Sequence, residues 1–151
     1  MSVTRALYID GEWVETDDSI ENINPSDTTE SVGRYAQATP ALADHAIASA
    51  NRAAKEWGQS PMETRYQMLM AIGTELIDRS AELGELLARE EGKTRAEGVG
   101  EVVRSGQFFH YFAAEVHRQI DDRVDSVRPG IEIETRREPV GVVAVISPWN
   151  F

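Results

Sequence analysis

"REPVGVVAVISPWNF" fills residues 137–151, and its reading decides the fold. Val140 to Ile146 is almost continuously apolar. A strand buried on both faces reads this way, as in a parallel sheet. In open α/β sheets, ligands bind beyond the carboxyl ends of the strands, and Ser147 to Phe151 hold that position. Asn150 brings an amide that can donate to a developing oxyanion. Trp149 and Phe151 bring flat walls for a ring or an apolar substrate. Periodicity and position also fit a plain turn, in which the Trp packs and the Asn bonds the backbone.

Working back from this run, "IEIETRR" alternates Ile131, Ile133 and Thr135 against Glu132, Glu134 and Arg136, the period of a strand with one wet face. Glu138-Pro139 separates it from the apolar run, and "DDRVDSVRPG" precedes it as a link. Further upstream the period is helical. Thr39 can cap and Pro40 suits a first turn, with Leu42, Ala46, Ala50, Ala53, Ala54 and Trp57 on one stripe and Gly58 as a stop. Ser60, Pro61 and Glu63 suggest a capping box opening a second helix, with Leu69, Ile72, Leu76 and Ile77 on its apolar face. A third helix follows Ser80 and ends at Gly92. Thr94 and Glu97 form another capping box, opening a fourth helix to about Arg118 with a stripe of Val99, Val103, Phe108, Tyr111, Phe112 and Val116. At the N-terminus, Asp10-Gly11 signals a hairpin, "ENINPSDTTE" a link and "SVGRYAQ" a strand. Four helices therefore precede one buried strand, whose parallel neighbours do not follow. The fold class is α/β, and the chain has the look of an incomplete sheet.

The length of 151 residues suits one domain able to bury a real core. No apolar run approaches a membrane span, and the first residues lack a signal-peptide core, so a cytoplasmic protein is expected. There is no cysteine, hence no disulfide and no cysteine nucleophile in this chain. Fifteen basic residues against 26 acidic ones give a net charge of −11, which argues against nucleic acid and against an anionic membrane. Lys55 and Lys93 are the only lysines. An acid-rich, lysine-poor surface suits a saline, halophilic cytoplasm.

The closing stretch resembles the signature of the aldehyde dehydrogenase family, where a buried strand leads into Pro-Trp-Asn-Phe. "YIDGEWV" with "NINPSD" is similar to the family's N-terminal hairpin and link. "ANRAAKEWGQSPMETRYQML" resembles its first helix pair, and "LAREEGKTRAEGVGEVV" a helix end and the next helix start. The resemblance covers nearly the whole chain, in order. It implies the N-terminal part of the family's fold: an N-terminal hairpin, a helical bundle, an oligomerisation strand arm and the first strand of a Rossmann-like cofactor domain. The implied division is 1–124 for hairpin and helices, 125–138 for the arm, and 139–151 for the first buried strand and its loop. A fragment is expected, about the N-terminal third of the family's length.

The resemblance also implies a reaction. A cysteine thiolate attacks an aldehyde, hydride passes to NAD or NADP, and glutamate-activated water releases the acid. Asn150 would donate to the oxyanion. Ile146, Ser147, Pro148, Trp149 and Asn150 would line the cofactor, and Phe151 the substrate tunnel. The nucleophile is missing, so this chain alone should be inactive. "GEVVRSGQFFHYFAAE" with "SVRPGIEIETRREPVG" is most similar to the semialdehyde-oxidising branch, in particular the 2-oxoglutarate semialdehyde (2,5-dioxopentanoate) dehydrogenases, with succinate semialdehyde the close rival. The arm implies a homo-oligomer, a dimer or tetramer. Some members hold a monovalent cation, here near Asn22, Ile23 and Glu91, but no metal site is assigned.

Other signals fall away. "EGKT" at 91–94 lacks the upstream glycine and strand of a phosphate loop. "GVGEVVRSG" lies in a helical pattern. His110 and His117 are seven residues apart, two turns, too far for adjacent-turn ligands. A non-enzymatic helical interaction module stands as the rival class.

Overall fold

The computed structural model describes residues 4–118 and 121–148. The chain opens with five short strands: β1 (Thr4–Arg5), β2 (Leu7–Ile9), β3 (Glu12–Val14), β4 (Ser19–Ile23) and β5 (Ser31–Ala36). β2 and β3 form the expected hairpin, with Ile9 opposite Glu12. Asp10 and Gly11 alone make its loop, at φ 56° and 84°. Two positive φ values give the turn whose twist matches the strands it joins. The Asp10 carboxylate accepts bonds from Ser49 Oγ at 2.6 Å and Arg52 at 2.7 Å, which pin the hairpin to the first helix. β4 pairs antiparallel with β5, and β1 adds in parallel on β5's other edge. β4 lies partly in "ENINPSDTTE", expected to be a link. "SIENI" lacks strict alternation, and its strand state comes from pairing with β5.

Four helices follow: α1 (Pro40–Gly58), α2 (Met62–Asp78), α3 (Ser80–Glu91) and α4 (Arg95–Val116). Thr39 caps α1 by accepting from the Leu42 amide. The box expected at Ser60 does not form. Pro61 takes the cap position, and Ser60 Oγ turns back to donate to the Trp57 carbonyl at 2.6 Å. The competing acceptor is a carbonyl at the end of α1, one turn away in sequence, which the Ser60 amide also reaches at 3.1 Å. The Thr94–Glu97 box does form. Gly92 ends α3 in the left-handed region, at φ 77°.

α4 crosses α2 and α3, and glycines set how closely. Its buried residues are Gly98, Val102, Gly106 and Ala113, one face of the helix. A Cβ on Gly84 of α3 would lie 2.5 Å from the Val99 backbone, and one on Gly106 2.7 Å from the Gly73 carbonyl oxygen of α2. This corrects the expected stripe: Phe108, Tyr111 and Phe112 point away from the crossing and are more than half exposed. Close backbone approach needs small residues at the contact, so the large ones are displaced to the far face.

The core is much smaller than the length suggests. Among the described residues, the buried apolar side chains are Ile9, Ala88, Val102 and Ala113. α1 buries none.

Beyond α4 stands a ribbon of β6 (Asp122–Asp125) and β7 (Glu132–Thr135), antiparallel, with Asp122 opposite Thr135. The stretch expected as a link thus supplies a strand. Arg123 pairs with Glu132 across the ribbon. Both faces of β7 are exposed, where one wet face was expected. Among the described residues, no other element packs on the ribbon with more than marginal contact.

Residues 139–148 depart furthest from expectation. They form no strand, and Val140, Val145 and Ile146 are 89%, 81% and 93% exposed. A strand exists only where its amides and carbonyls meet a neighbour's, and it is buried only where layers cover its faces. Among the described residues nothing supplies either. Pro139 touches down at the α1–α2 junction, its Cγ 3.3 Å from the Cβ position of Gly58.

Candidate active site

The end of the apolar run comes to a cavity. Pro148, Asn22, Ile23, Pro25, Glu90 and Glu91 line an open space of about 600 Å³ between the end of β4 and the end of α3. Both walls are braced. On the first, Asn24 is the buried polar residue, 7% exposed. Its Oδ1 accepts the Ser26 amide at 2.9 Å, and its Nδ2 donates to Glu30 at 2.7 Å. Glu30 pairs in turn with Arg89 of α3 at 2.5 Å. Those two bonds, Asn24's first and Arg89's second, hold the Glu30 carboxyl below its ordinary pKa. Ser26 Oγ donates to the Gly92 carbonyl at 3.3 Å, and Pro25 packs so closely that a Cβ on Gly92 would stand 2.7 Å from its ring.

On the second wall, Asn22 Nδ2 donates to Glu90 at 2.7 Å. Lys93 reaches between Glu91 and Glu101 and pairs with both. All three side chains are largely shielded, at 17%, 18% and 26% exposure. The bonds to Glu101 and then Glu91 raise the Lys93 pKa, so it stays charged. A lysine between two carboxylates offsets the repulsion that Glu91 and Glu101 would otherwise exert on each other.

Ile146 and Ser147 are exposed, and their backbone groups bond to none of the described residues. Pro148 sits on the cavity wall. Trp149, Asn150 and Phe151 lie outside the described residues. Asn22, Ile23 and Glu91, weighed for a monovalent cation, do share the cavity, although the Glu91 carboxylate is engaged by Lys93. Among the described residues, no group of three or more His, Cys, Asp or Glu is arranged to hold a metal ion. The sequence reading missed the braces, Asn24, Glu30, Arg89 and Lys93. Asn24-Pro25-Ser26 carries a readable signal, an Asn bonding the amide two residues on. The Glu30–Arg89 and Lys93–Glu101 pairs carry none, because their partners are 59 and 8 residues apart.

A model described as the aldehyde dehydrogenase family matches residues 13–151. The alpha-ketoglutarate semialdehyde dehydrogenase of Haloferax volcanii is 39% identical over 146 residues, covering 95% of this chain and 30% of that protein. A betaine aldehyde dehydrogenase double mutant from Staphylococcus aureus, solved with NAD+, superposes with a TM-score of 0.89 at 33% identity, over 97% of this chain and 30% of that one. An NADP-dependent enzyme of E. coli gives 0.90 at 26% identity, over 97% and 31%. The chain thus spans about 30% of the length of the relatives it matches.

Proposed function

The chain belongs to the aldehyde dehydrogenase family, and we propose that it is the N-terminal part of an NAD(P)-dependent enzyme oxidising a small semialdehyde to its acid. The observation that carries this reading is a family match running through Ser147-Pro148-Trp149-Asn150-Phe151. The similarity to a semialdehyde dehydrogenase supports the substrate class, with 2-oxoglutarate semialdehyde as the first compound to try. Neighbours solved with NAD+ or described as NADP-dependent support the cofactor.

The surface supports a unit built to be covered. The chain exposes 11902 Å², against roughly 7,700 Å² for a compact monomer of its mass. In the whole enzyme, Val140 to Ile146 would gain neighbours and become the first strand of the cofactor sheet. We keep the division into 1–124, 125–138 and 139–151, noting that the β6–β7 ribbon itself runs from Asp122 to Thr135. Its open edges suit pairing with another subunit, and a homo-oligomer follows from that. No helix among the described residues is long and apolar enough to cross a membrane, and we place the enzyme in the cytoplasm.

The residues present fit a dinucleotide. At Ile146 and Ser147 the backbone has amides and carbonyls unpaired within the described residues, which could meet ribose hydroxyls and a carboxamide. Ile146, Ser147, Pro148 and Trp149 would hold that side of it. The nicotinamide, when bound, supplies the hydride acceptor. Asn150 would donate its side-chain N–H to the oxygen that turns negative when a thiolate adds to the aldehyde. Phe151 would wall the substrate side. The thiolate comes from outside these 151 residues, which contain no cysteine.

Loss of one such donor costs about 3–4 kcal/mol in the transition state. Asn150→Ala in the complete enzyme is therefore expected to lower kcat by two orders of magnitude or more, about 10²–10³-fold. Steady-state kinetics on 2-oxoglutarate semialdehyde checks it, and a rate near wild type removes Asn150 from the mechanism.

A further inference from the structure

Of the 15 basic residues, 13 are arginines and two are lysines, Lys55 and Lys93. The difference bears on a protein that handles an aldehyde. A neutral amine adds to an aldehyde carbon, whereas a guanidinium keeps its charge and does not. The two lysines stand in opposite surroundings. Lys93, between the end of α3 and the start of α4, is 17% exposed and pairs with both Glu91 and Glu101. Its bonds to Glu101 and then Glu91 keep the ammonium charged, and a protonated nitrogen has no lone pair to offer. Lys55 lies in the last turn of α1, a helix that buries none of its residues. It is exposed, and among the described residues it enters no ion pair.

We propose that Lys55 is a site of covalent modification by small aldehydes, and that the Glu91–Lys93–Glu101 triad keeps the second lysine out of the same chemistry. This rests on the aldehyde substrate proposed above, which is one member of the class. The lone pair of Lys55 Nζ adds to the carbonyl carbon, and a C–N bond forms. Nζ gives up its two protons, the carbonyl oxygen leaves with them as water, and an imine remains. The step is reversible until a hydride donor reduces the imine to a stable amine. At Lys93 the same addition first requires parting from two carboxylates and shedding a proton. An amine reacts only through its neutral fraction, and each pKa unit upward cuts that fraction roughly tenfold.

The test uses the complete enzyme, treated at neutral pH with formaldehyde and cyanoborohydride, which supplies the hydride. Peptide mapping by mass spectrometry then reads each lysine over time. Lys55 is expected to be labelled at least about tenfold faster than Lys93. The same order should hold with 2-oxoglutarate semialdehyde in place of formaldehyde. In urea, where the triad is dispersed, the two rates should converge. Glu101→Gln should bring Lys93 closer to Lys55 and leave the Lys55 rate as it was. Both lysines are read in one wild-type molecule, so the main comparison stands even where that variant fails to fold. Comparable native rates, an unlabelled Lys55, or a contrast that persists in urea would each overturn the proposal. An enzyme that keeps the formaldehyde contrast but does not oxidise 2-oxoglutarate semialdehyde removes that substrate and leaves the Lys55 site standing. An active enzyme with comparable labelling removes the site alone.

Discussion

One methyl group has opposite effects at two glycines, Gly84 of α3 and Gly100 of α4. Gly84 faces α4, and a Cβ there would stand 2.5 Å from the Val99 backbone, which cannot step aside. Gly84→Ala is expected to destabilise the chain by about 1–3 kcal/mol, the usual cost of overpacking. Gly100 lies inside α4, exposed, with nothing within 4 Å of its Cβ position. There alanine only restricts the unfolded chain, and Gly100→Ala should stabilise by about 0.5–1 kcal/mol. Urea midpoints of the two variants check the pair, and the same sign for both would contradict the crossing described. His110 belongs to the same packing, its ring over Gly73 with Nε2 3.2 Å from Thr74 Oγ1. It is a half-buried histidine between α2 and α4.

At the scale of elements, helix starts divide into those the local sequence controls and those it does not. The Thr94–Glu97 box satisfies orphan amides by itself, and it formed as written. Thr94's hydroxyl and then its amide bond Glu97, and both depress the Glu97 pKa below its ordinary 4.5. A depressed carboxylate stabilises the fold fully above its unfolded value, and that contribution disappears as pH falls through the lower folded value. Thr94→Ala should therefore cost about 1 kcal/mol at neutral pH. That cost should shrink as the pH falls from 4.5 through the lower folded value, below which Glu97 is uncharged in both proteins. Urea midpoints at stepped pH measure it, and a cost independent of pH would rule out Glu97's share. Ser60 lost its box because the end of α1 offered its hydroxyl a nearer carbonyl, which a three-residue pattern cannot foresee.

For the molecule as a whole, charge and exposed area dominate. At a net charge of −11, like charges repel across the surface. Raising KCl from about 0.01 to 1 M shortens the screening length from roughly 30 to 3 Å. Salt also weakens the ion pairs, but exposed pairs are worth only about 0–1 kcal/mol each. Repulsion is the larger effect, so the melting temperature should rise with KCl, as an acid-rich surface adapted to salt would have it. A falling melting temperature in a calorimetric series would contradict this. The purified 151-residue chain, lacking any cysteine, should reduce no NAD+ or NADP+ with a semialdehyde. Absorbance at the reduced-nicotinamide band checks it, and turnover above buffer would require another nucleophile.

By itself, the sequence determined what depends on near neighbours: the Asp10-Gly11 hairpin, the Thr39 and Thr94 caps, the Gly92 stop, four helices in their order, and the motif that links Pro148 to Asn150. These rest on turn geometry and periodicity, which act over a few residues. Tertiary structure alone decided which face of α4 is buried, that β4 and β6 are strands, and that Asn22, Glu90, Glu91 and Pro148 meet at one cavity. It also decided that Val140 to Ile146, apolar enough for a buried strand, stands open here. A strand's state is set by the neighbour that pairs with it, and no pattern within the segment can supply that neighbour.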